Sequence, residues 1–283
     1  MHHTPDVNWA DVVDHMDRGA AISRPMNEQV VAWLHLPTGA RVTDVGCGAG
    51  GMTVLLAAAV GPDGSVVAVD GEPALLAATT ARCEHAGFGD RIETLQHDLS
   101  DGPPPLADLD LAWAAGVVHH LGDQQATVNG LATMLAAGGR LALAEGGLPQ
   151  RCLPWDVGVG EPGLEDQLAA AEADWFAAMR RDQPGTQRTP YGWSLVLATA
   201  GLTEVTSKSF LLDLPPPLDD EVRTHQTESF GVRVERVGER LTGDDRDAWD
   251  RLLDPDGSDY LGRRDDLHVL SATTVHVGTR QGR

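Results

Sequence analysis

The sequence predicts an α/β fold in which helices cover both faces of a mainly parallel β-sheet. Short apolar strand segments alternate strictly with helical segments from residue 41 to residue 145, and the connections between them are short. The chain has 283 residues, of which 42% are hydrophobic, so it can bury a substantial core. This length suits one large α/β domain, or one domain that carries a substantial insertion.

The first half of the chain contains the alternating elements. We predict strands at 41–45, 65–70, 92–96, 109–114 and 139–145, with helices at 52–60, 73–85 and 124–135. Ahead of them, apolar residues spaced i, i+3, i+4 and i+7 predict an amphipathic helix over 6–18. A second helix is predicted over 26–36, because Pro37-Thr38-Gly39 is a helix-breaking sequence.

The alternation stops after Glu145. A loop rich in proline and glycine over 149–163 precedes predicted helices at 165–181, 191–200, 219–241 and 244–253 and strands at 202–214 and 267–277. We expect cap helices in 1–38, a ligand-binding core in 39–150, cap insertions in 151–192 and 215–265, and the rest of the core in 193–214 and 266–283. The two insertions should pack with the N-terminal helices over the strand ends.

Charge and composition narrow the possible partners. With 21 Lys+Arg against 42 Asp+Glu, the net charge of −21 opposes binding to nucleic acids and anionic membranes. The sequence shows neither a secretion signal nor an apolar run near the roughly 18 residues of a membrane span. Cys47, Cys83 and Cys152 form no CxxC pair, which argues against disulfides and a zinc site. We expect a cytoplasmic protein with a small-molecule partner, and the apolar cap helices allow a homodimer.

The strongest motif is the glycine-rich turn after the first predicted strand, Asp44-Val-Gly46-Cys-Gly48-Ala-Gly50-Gly51. Glycines let the backbone turn tightly, approach a ligand closely and present N–H groups at a helix start. The spacing of Gly46, Gly48 and Gly51 also satisfies GxGxxG, which a nicotinamide-dependent oxidoreductase would use. Against that alternative, a negative charge at Asp44 is unfavourable beside a pyrophosphate, and the sheet does not continue as a second mononucleotide-binding half.

Further motifs follow the next strands: Asp70 ends the second, Asp98 follows the third, and Gly116-Val-Val-His-His-Leu121 follows the fourth. Together with the glycine turn they resemble the motif series of class I S-adenosylmethionine-dependent methyltransferases. The small-molecule branch, with ubiquinone-pathway and bacterial natural-product tailoring enzymes, is the most similar. The resemblance covers 39–150 and, more loosely, 200–213 and 267–277.

The resemblance implies a Rossmann-like, seven-stranded, mostly parallel sheet with an antiparallel last strand and a helical cap. It implies S-adenosylmethionine as cofactor and methyl transfer to an O, N or C atom of a small hydrophobic or aromatic molecule. The glycine motif does not separate this reaction from a decarboxylation, hydroxylation or cyclisation in the same pocket. These remain alternatives.

By the same resemblance, Gly46, Gly48 and Gly50 line the methionine part of the cofactor, with Asp44 near its amino group. Asp70 would accept hydrogen bonds from both ribose hydroxyls, which suits a carboxylate. Asp98 would accept from the adenine amine, beside the Leu99 N–H. The implied site is completed by Cys47, Gly71 and Ala114. Gly71 departs from the family, which often has an apolar side chain against the adenine at that position.

Methyl transfer needs mainly alignment, and a base only where the nucleophile must lose a proton. His119 and His120 follow the fourth strand at the carboxyl edge, where open parallel sheets bind ligands. Either is a candidate base, or they pack beside the cofactor and cap the next helix. Glu145 ends the fifth strand and is a candidate to orient substrate or accept a proton, unless it is an ordinary strand-end acid.

Tryptophans in the predicted cap segments suit an apolar acceptor pocket. Trp9, Trp155 and Trp175 are the predicted substrate contacts, with core packing as the alternative for each. The sequence has neither an HxxxH pair nor a close Asp-Asp-Asn cluster, so we predict no metal site.

Overall fold

The computed structural model describes residues 8–282. Its helices are α1 (Trp9–Leu34), α2 (Gly51–Val60), α3 (Pro73–His85), α4 (Gln124–Thr133), α5 (Leu164–Asp182), α6 (Trp193–Thr199), α7 (Asp220–Val237) and α8 (Gly243–Leu253). Its strands are β1 (Arg41–Val45), β2 (Ser65–Asp70), β3 (Ile92–Gln96), β4 (Leu109–Ala115), β5 (Leu135–Arg151), β6 (Thr203–Leu214) and β7 (Val269–Thr279). In the described residues, no helix is both long and apolar enough to span a membrane.

The strands form a seven-stranded sheet in the order β3-β2-β1-β4-β5-β7-β6. The pairs β2–β3, β1–β2, β1–β4 and β4–β5 are parallel. Backbone hydrogen bonds pair Gly138 and Gly139 with Arg280 in an antiparallel register. The predicted α/β fold with an antiparallel end to the sheet is therefore confirmed.

Burial explains the continuous apolar character of the central strands. Val45, Ala112 and Ala114 are fully buried on one face of the sheet and pack with Leu131 of α4 and Val196 of α6. On the other side, α2 packs against β1 and β2, and α1 packs against α2 and α3. A parallel sheet covered on both faces brings the carboxyl ends of its strands to one edge.

The N-terminal segment forms one helix rather than the two predicted. Asn8 caps α1 by accepting a hydrogen bond from the N–H of Ala10, and the helix continues through Pro25 to Leu34. The prediction was wrong because apolar Met26 and Val30 continue the buried stripe beyond the proline, and their burial offsets a cost of about 3 kcal/mol for an interior proline. Residues 6 and 7 of the predicted helix lie outside the described residues.

Strand β5 also differs from its prediction, since it spans 135–151 instead of 139–145. The added residues are mostly glycine, alanine or polar, so no apolar alternation marks them as strand. They belong to the strand because β5 pairs with β7. Backbone hydrogen bonds run near both ends of this pairing: the N–H of Arg280 donates to the carbonyl of Gly139, and the N–H of His268 donates to the carbonyl of Cys152 at 3.1 Å.

The chain divides into two compact units. The first contains the described residues up to Gly147, Gly185–Phe210 and residues from Thr273 onward, and the second contains Leu148–Pro184 and Leu211–Ala272. Helix α1 therefore belongs to the unit that holds the parallel strands. In the second unit, Phe230 packs on Trp249 with ring centroids 5.0 Å apart, and Arg233 forms two 2.9 Å hydrogen bonds with Glu172. The predicted cap over the strand ends stays a prediction.

Candidate functional site

The glycine turn joins β1 to α2 in a conformation that favours glycine. Gly46, Gly48 and Gly50 have φ angles of +71°, +56° and +82°. A Cβ on Gly50 would lie 2.9 Å from the Cα of Thr79, so the turn also requires glycine for close contact with α3. Thr79 holds the turn through its hydroxyl, which donates to the carbonyl of Gly48 at 2.9 Å.

The N–H groups of the turn are used within the protein. Gly46 and Cys47 both donate to the carbonyl of Val69, at 2.7 and 3.0 Å. Gly48 donates to Oδ2 of Asp70 at 3.0 Å, and Gly50 donates to the carbonyl of Cys47 at 3.0 Å. A pyrophosphate needs such groups for itself, so these four N–H groups are not available to one.

Asp44 lies beneath this turn on β1 and is only 2% exposed. Its Oδ2 accepts a 2.6 Å hydrogen bond from the hydroxyl of Thr53 on α2. Burial raises the pKa of the Asp44 carboxyl from 3.8 to about 7, against the lowering effect of Thr53, and nearby Asp70 raises the pKa further. A cationic ligand group beside Asp44 would favour its ionised form.

Asp70, at the end of β2, is 8% exposed and connects two backbone segments. Its Oδ1 accepts from the N–H of Glu72 at 3.0 Å, while Oδ2 accepts from Gly48. Burial raises the pKa of Asp70, although these backbone hydrogen bonds oppose the shift. Each carboxylate oxygen can accept more than one hydrogen bond, so Asp70 can still accept from ligand hydroxyls.

Asp98 lies two residues after the end of β3, and its side chain is exposed. Its Oδ1 accepts from the N–H of Ser100 at 2.9 Å and from its hydroxyl at 2.5 Å, and these bonds lower the pKa of Asp98. A Cβ on Gly71 would lie 4.0 Å from the Cα of Asp98, so the ends of β2 and β3 are neighbours. The three predicted acids thus lie at or near the carboxyl ends of three adjacent strands.

Three further predicted cofactor residues differ in their surroundings. The thiol of Cys47 is buried 3.6 Å from the hydroxyl of Thr79, and burial raises its pKa strongly. The side chain of Leu99 packs against the apolar cluster beneath β4 and β5. Ala114 is fully inside that cluster, so its side chain faces the core, whereas the next residue, Ala115, is exposed.

The candidate catalytic residues are placed by β4 and β5. Nδ1 of His119 lies 2.6 Å from Oε2 of Glu145, which is 2% exposed. The other carboxylate oxygen of Glu145 accepts from the N–H groups of Val117 and Val118 at 3.1 and 2.8 Å. His120 is exposed, with its ring centroid 4.0 Å from that of His119. His119 and Glu145 therefore form a pair fixed by the main chain.

This pair lines a cavity of about 340 Å³ at the carboxyl end of β4 and beside the middle of β5. Helix α1 supplies one wall, and the remaining wall comes from α2 and the strand ends. The lining residues are Ser23, Met26, Asn27, Val30, Met52, Trp113, Ala115, Gly116, His119, Ala144, Glu145, Gly146 and Thr273.

Sequence analysis missed several of these residues. Trp113 lies within an apolar strand, and nothing in its neighbours distinguishes it from a core residue. Ser23 fell between the two helices predicted for the N-terminal segment, and Asn27 lay within the second without being singled out. Thr53 lies at position i+9 from Asp44, and only the turn between them brings their side chains together.

The three tryptophans predicted to contact substrate have different environments. Trp9 begins α1 and is half-buried, while Trp155 is 71% exposed in the second unit. The guanidinium of Arg236 lies 5.4 Å from the ring centroid of Trp175, also in the second unit. Their role in substrate binding stays a prediction.

Comparisons with known proteins relate this chain to methyltransferases. Residues 42–139 match the family described as a methyltransferase domain. The nocamycin O-methyltransferase of Saccharothrix syringae is 28% identical over 222 residues, which cover 76% of this chain and 78% of that protein. The 27-O-demethylrifamycin SV methyltransferase of Amycolatopsis mediterranei is 29% identical over 120 residues, or 42% of this chain, and the match spans only 43% of its length.

A solved structure shows the same fold. The structure of a proposed methyltransferase from Bacillus halodurans superposes with a TM-score of 0.55 and 16% identity, covering 90% of this chain and 99% of that one. The superposition shows the fold alone. The family match identifies residues 42–139, about a third of the chain, as a methyltransferase domain, and S-adenosylmethionine is the cofactor that this match supports.

Proposed function

We propose that this protein transfers a methyl group from S-adenosylmethionine to a hydroxyl oxygen of a small, largely apolar molecule. The observation that supports this most directly is the 2.6 Å contact between His119 and Glu145 at the cavity wall. A base is useful where the nucleophile must lose a proton, as a hydroxyl does. The relative named as nocamycin O-methyltransferase supports an oxygen acceptor.

The donor groups at the sheet edge fit the cofactor. Asp70 retains acceptor capacity for a ribose diol, and Asp44 is a buried carboxylate that an ammonium group would stabilise. Asp98 is exposed beyond Gly71, where it can accept from an exocyclic amine. When bound, the cofactor supplies an electrophilic methyl group on a sulfonium with a good leaving group.

The proposed proton transfer uses the two nitrogens of His119. When Nδ1–H donates to Glu145, Nε2 becomes the acceptor nitrogen of the neutral ring. Nε2 then takes the proton of the acceptor hydroxyl as its oxygen attacks. Glu145 stabilises the resulting imidazolium through the same hydrogen bond.

The apolar wall contributes alignment and exclusion of water. Met26 and Val30 of α1 and Met52 of α2 face the same cavity as the His119–Glu145 pair. These apolar side chains would hold the acceptor oxygen in line with the methyl group, and such orientation lowers barriers by several kcal/mol.

Incubation with cofactor carrying a trideuterated methyl group, followed by mass spectrometry, tests the proposal. We expect the product to retain the whole labelled methyl group on oxygen. Conversion of the acceptor without label would instead support decarboxylation, hydroxylation or cyclisation in the same pocket. A label found on carbon or nitrogen would overturn the assignment to oxygen.

A further inference from the structure

Helix α1 brings two polar side chains to the cavity. Ser23, Met26, Asn27 and Val30 all line it, and their spacing of i, i+3, i+4 and i+7 places them on one side of the helix. Met26 and Val30 on this side are 7% and 1% exposed, so the side packs inward. Asn27 therefore presents its amide to the cavity from within an apolar stretch of wall.

The amide of Asn27 is available to a ligand. Within residues 8–282, neither its oxygen nor its nitrogen hydrogen-bonds the protein, and the hydroxyl of Ser23 has no partner there either. Asn27 is half-buried, and neither atom of its amide is shut off from solvent. A molecule that fills the cavity displaces water from this amide, which is unfavourable unless the molecule supplies a hydrogen-bonding partner of its own.

The charge of the cavity wall limits which partner suits this amide. None of the described lining residues is Lys or Arg, and Glu145 contributes a carboxylate. A carboxylate on the acceptor would enter this wall without an arginine or lysine to pair with, which is electrostatically unfavourable. An amide both donates and accepts hydrogen bonds, and so does a hydroxyl. An uncharged hydroxyl is therefore the group that matches Asn27 best.

We propose that the amide of Asn27 hydrogen-bonds a second, uncharged hydroxyl of the methyl acceptor. The acceptor then carries two hydroxyls: one lies at His119 for methylation, and α1 binds the other. Asn27 is thereby a specificity-determining residue, because a site that hydrogen-bonds a hydroxyl discriminates against analogues that lack it. This inference rests on the proposed function, since the same cavity must receive the acceptor.

Three matched series of phenols, graded in length, test this assignment. The alcohols are 4-hydroxybenzyl alcohol, 4-(2-hydroxyethyl)phenol and 4-(3-hydroxypropyl)phenol, which carry the second hydroxyl at increasing distance from the phenol. Their alkyl counterparts, 4-ethylphenol, 4-propylphenol and 4-butylphenol, have a methyl group in place of that hydroxyl. Their carboxylate counterparts are 4-hydroxybenzoate, 4-hydroxyphenylacetate and 3-(4-hydroxyphenyl)propanoate.

Each compound is titrated by calorimetry into the full chain saturated with S-adenosylhomocysteine. We expect at least one alcohol to bind about tenfold or more tightly than both its alkyl and its carboxylate counterpart. The graded lengths allow for the span between the amide of Asn27 and the imidazole of His119.

Two substitutions on α1 isolate the amide. Asn27→Leu keeps a side chain of similar size and removes both hydrogen-bonding groups. It should weaken binding of the preferred alcohol by about tenfold without weakening binding of the alkyl counterpart. Gln29→Leu is the matched control, because Gln29 carries an exposed amide on α1 that bonds the carbonyl of Pro25 and does not line the cavity. It should leave both affinities unchanged.

The outcomes separate this inference from the proposed function. Failure of the folded wild type to bind S-adenosylhomocysteine would contradict the proposed function itself. If the thioether binds, the role of Asn27 alone is overturned when no alcohol exceeds both counterparts, when Asn27→Leu leaves alcohol binding unchanged, or when Gln29→Leu causes an equal loss. Weaker binding of S-adenosylhomocysteine by Asn27→Leu would also overturn it, because the amide would then contact the cofactor.

Discussion

Nδ1 of His119 lies 2.6 Å from Oε2 of Glu145, while the N–H groups of Val117 and Val118 bind the other oxygen of the same carboxylate. The main chain after β4 therefore positions the acid that orients the imidazole of the same segment. A pair built in this way keeps its geometry without a ligand, because both partners are held by neighbouring parallel strands.

Removal of His119 tests the proposed base. We expect His119→Ala to lower kcat for methyl transfer to a hydroxyl acceptor by about 10²- to 10⁴-fold, since general-base catalysis contributes that much. S-adenosylhomocysteine affinity, measured by calorimetry, should stay the same. The control is His120→Ala at the exposed neighbouring ring, which should retain most of the activity. Equal kcat losses in both variants would contradict the assignment.

Asp70 is expected to bind the cofactor through its carboxylate. Asp70→Asn should weaken S-adenosylhomocysteine binding by about 10- to 100-fold, because charge-assisted hydrogen bonds to the ribose hydroxyls become neutral ones. Calorimetric titration measures the change, with circular dichroism as a check of folding. Asp63→Asn changes an exposed acid in the loop after α2 and should leave binding unaltered. Undiminished binding by Asp70→Asn would exclude the ribose role.

Buried Asp44 makes stability depend on pH. Its pKa of about 7 in the fold exceeds its unfolded value of 3.8, so the fold favours the protonated acid. The stabilisation of the folded state by the protonated acid is complete below about pH 4 and is lost as the pH rises to about 7. The difference in free energy of unfolding between the wild type and Asp44→Asn should therefore change by about 2 kcal/mol from pH 5 to pH 8, as the wild type loses this stabilisation.

Urea denaturation at several pH values measures this difference. Asp266→Asn is the control, because the hydrogen bond from Arg264 lowers the pKa of Asp266 and moves its titration below pH 5. The difference between wild type and Asp266→Asn should stay level from pH 5 to pH 8. A level difference for Asp44→Asn as well would mean that Asp44 is ionised in the fold throughout this range.

The turn should tolerate no side chain at Gly50. Gly50→Ala should lower the free energy of unfolding by about 2–4 kcal/mol, through the positive φ and the contact with the backbone of Thr79. Gly87→Ala is a matched control, since Gly87 has a similar φ of +79° but no atom near its Cβ position. It should cost only about 1–2 kcal/mol in urea denaturation. Similar losses in the two variants would show that close packing at Gly50 contributes little.

Much of this architecture could be predicted from the sequence, because its signals are local. Strands β1, β2 and β3 and helix α3 have the predicted bounds, since short turn segments in the sequence separate them. The order of the acids along the sheet edge follows from parallel topology. Pro25 misled the analysis, because the burial of Met26 and Val30 is a tertiary effect that local propensity does not contain.

The contacts that define the site were less predictable. His119 and Glu145 were both candidates, but their separation of 26 residues gives no sequence signal for a hydrogen bond. Trp113 was missed because the cavity that it lines exists only after β1, β4 and β5 pair.

The most direct test of the central claim is a pair of calorimetric titrations of the folded protein, one with S-adenosylhomocysteine and one with NAD. The site at the ends of β1, β2 and β3 predicts saturable binding of one S-adenosylhomocysteine per chain, and Asp70→Asn should weaken this binding. It predicts no binding of NAD. Saturable NAD binding without any response to S-adenosylhomocysteine would contradict it.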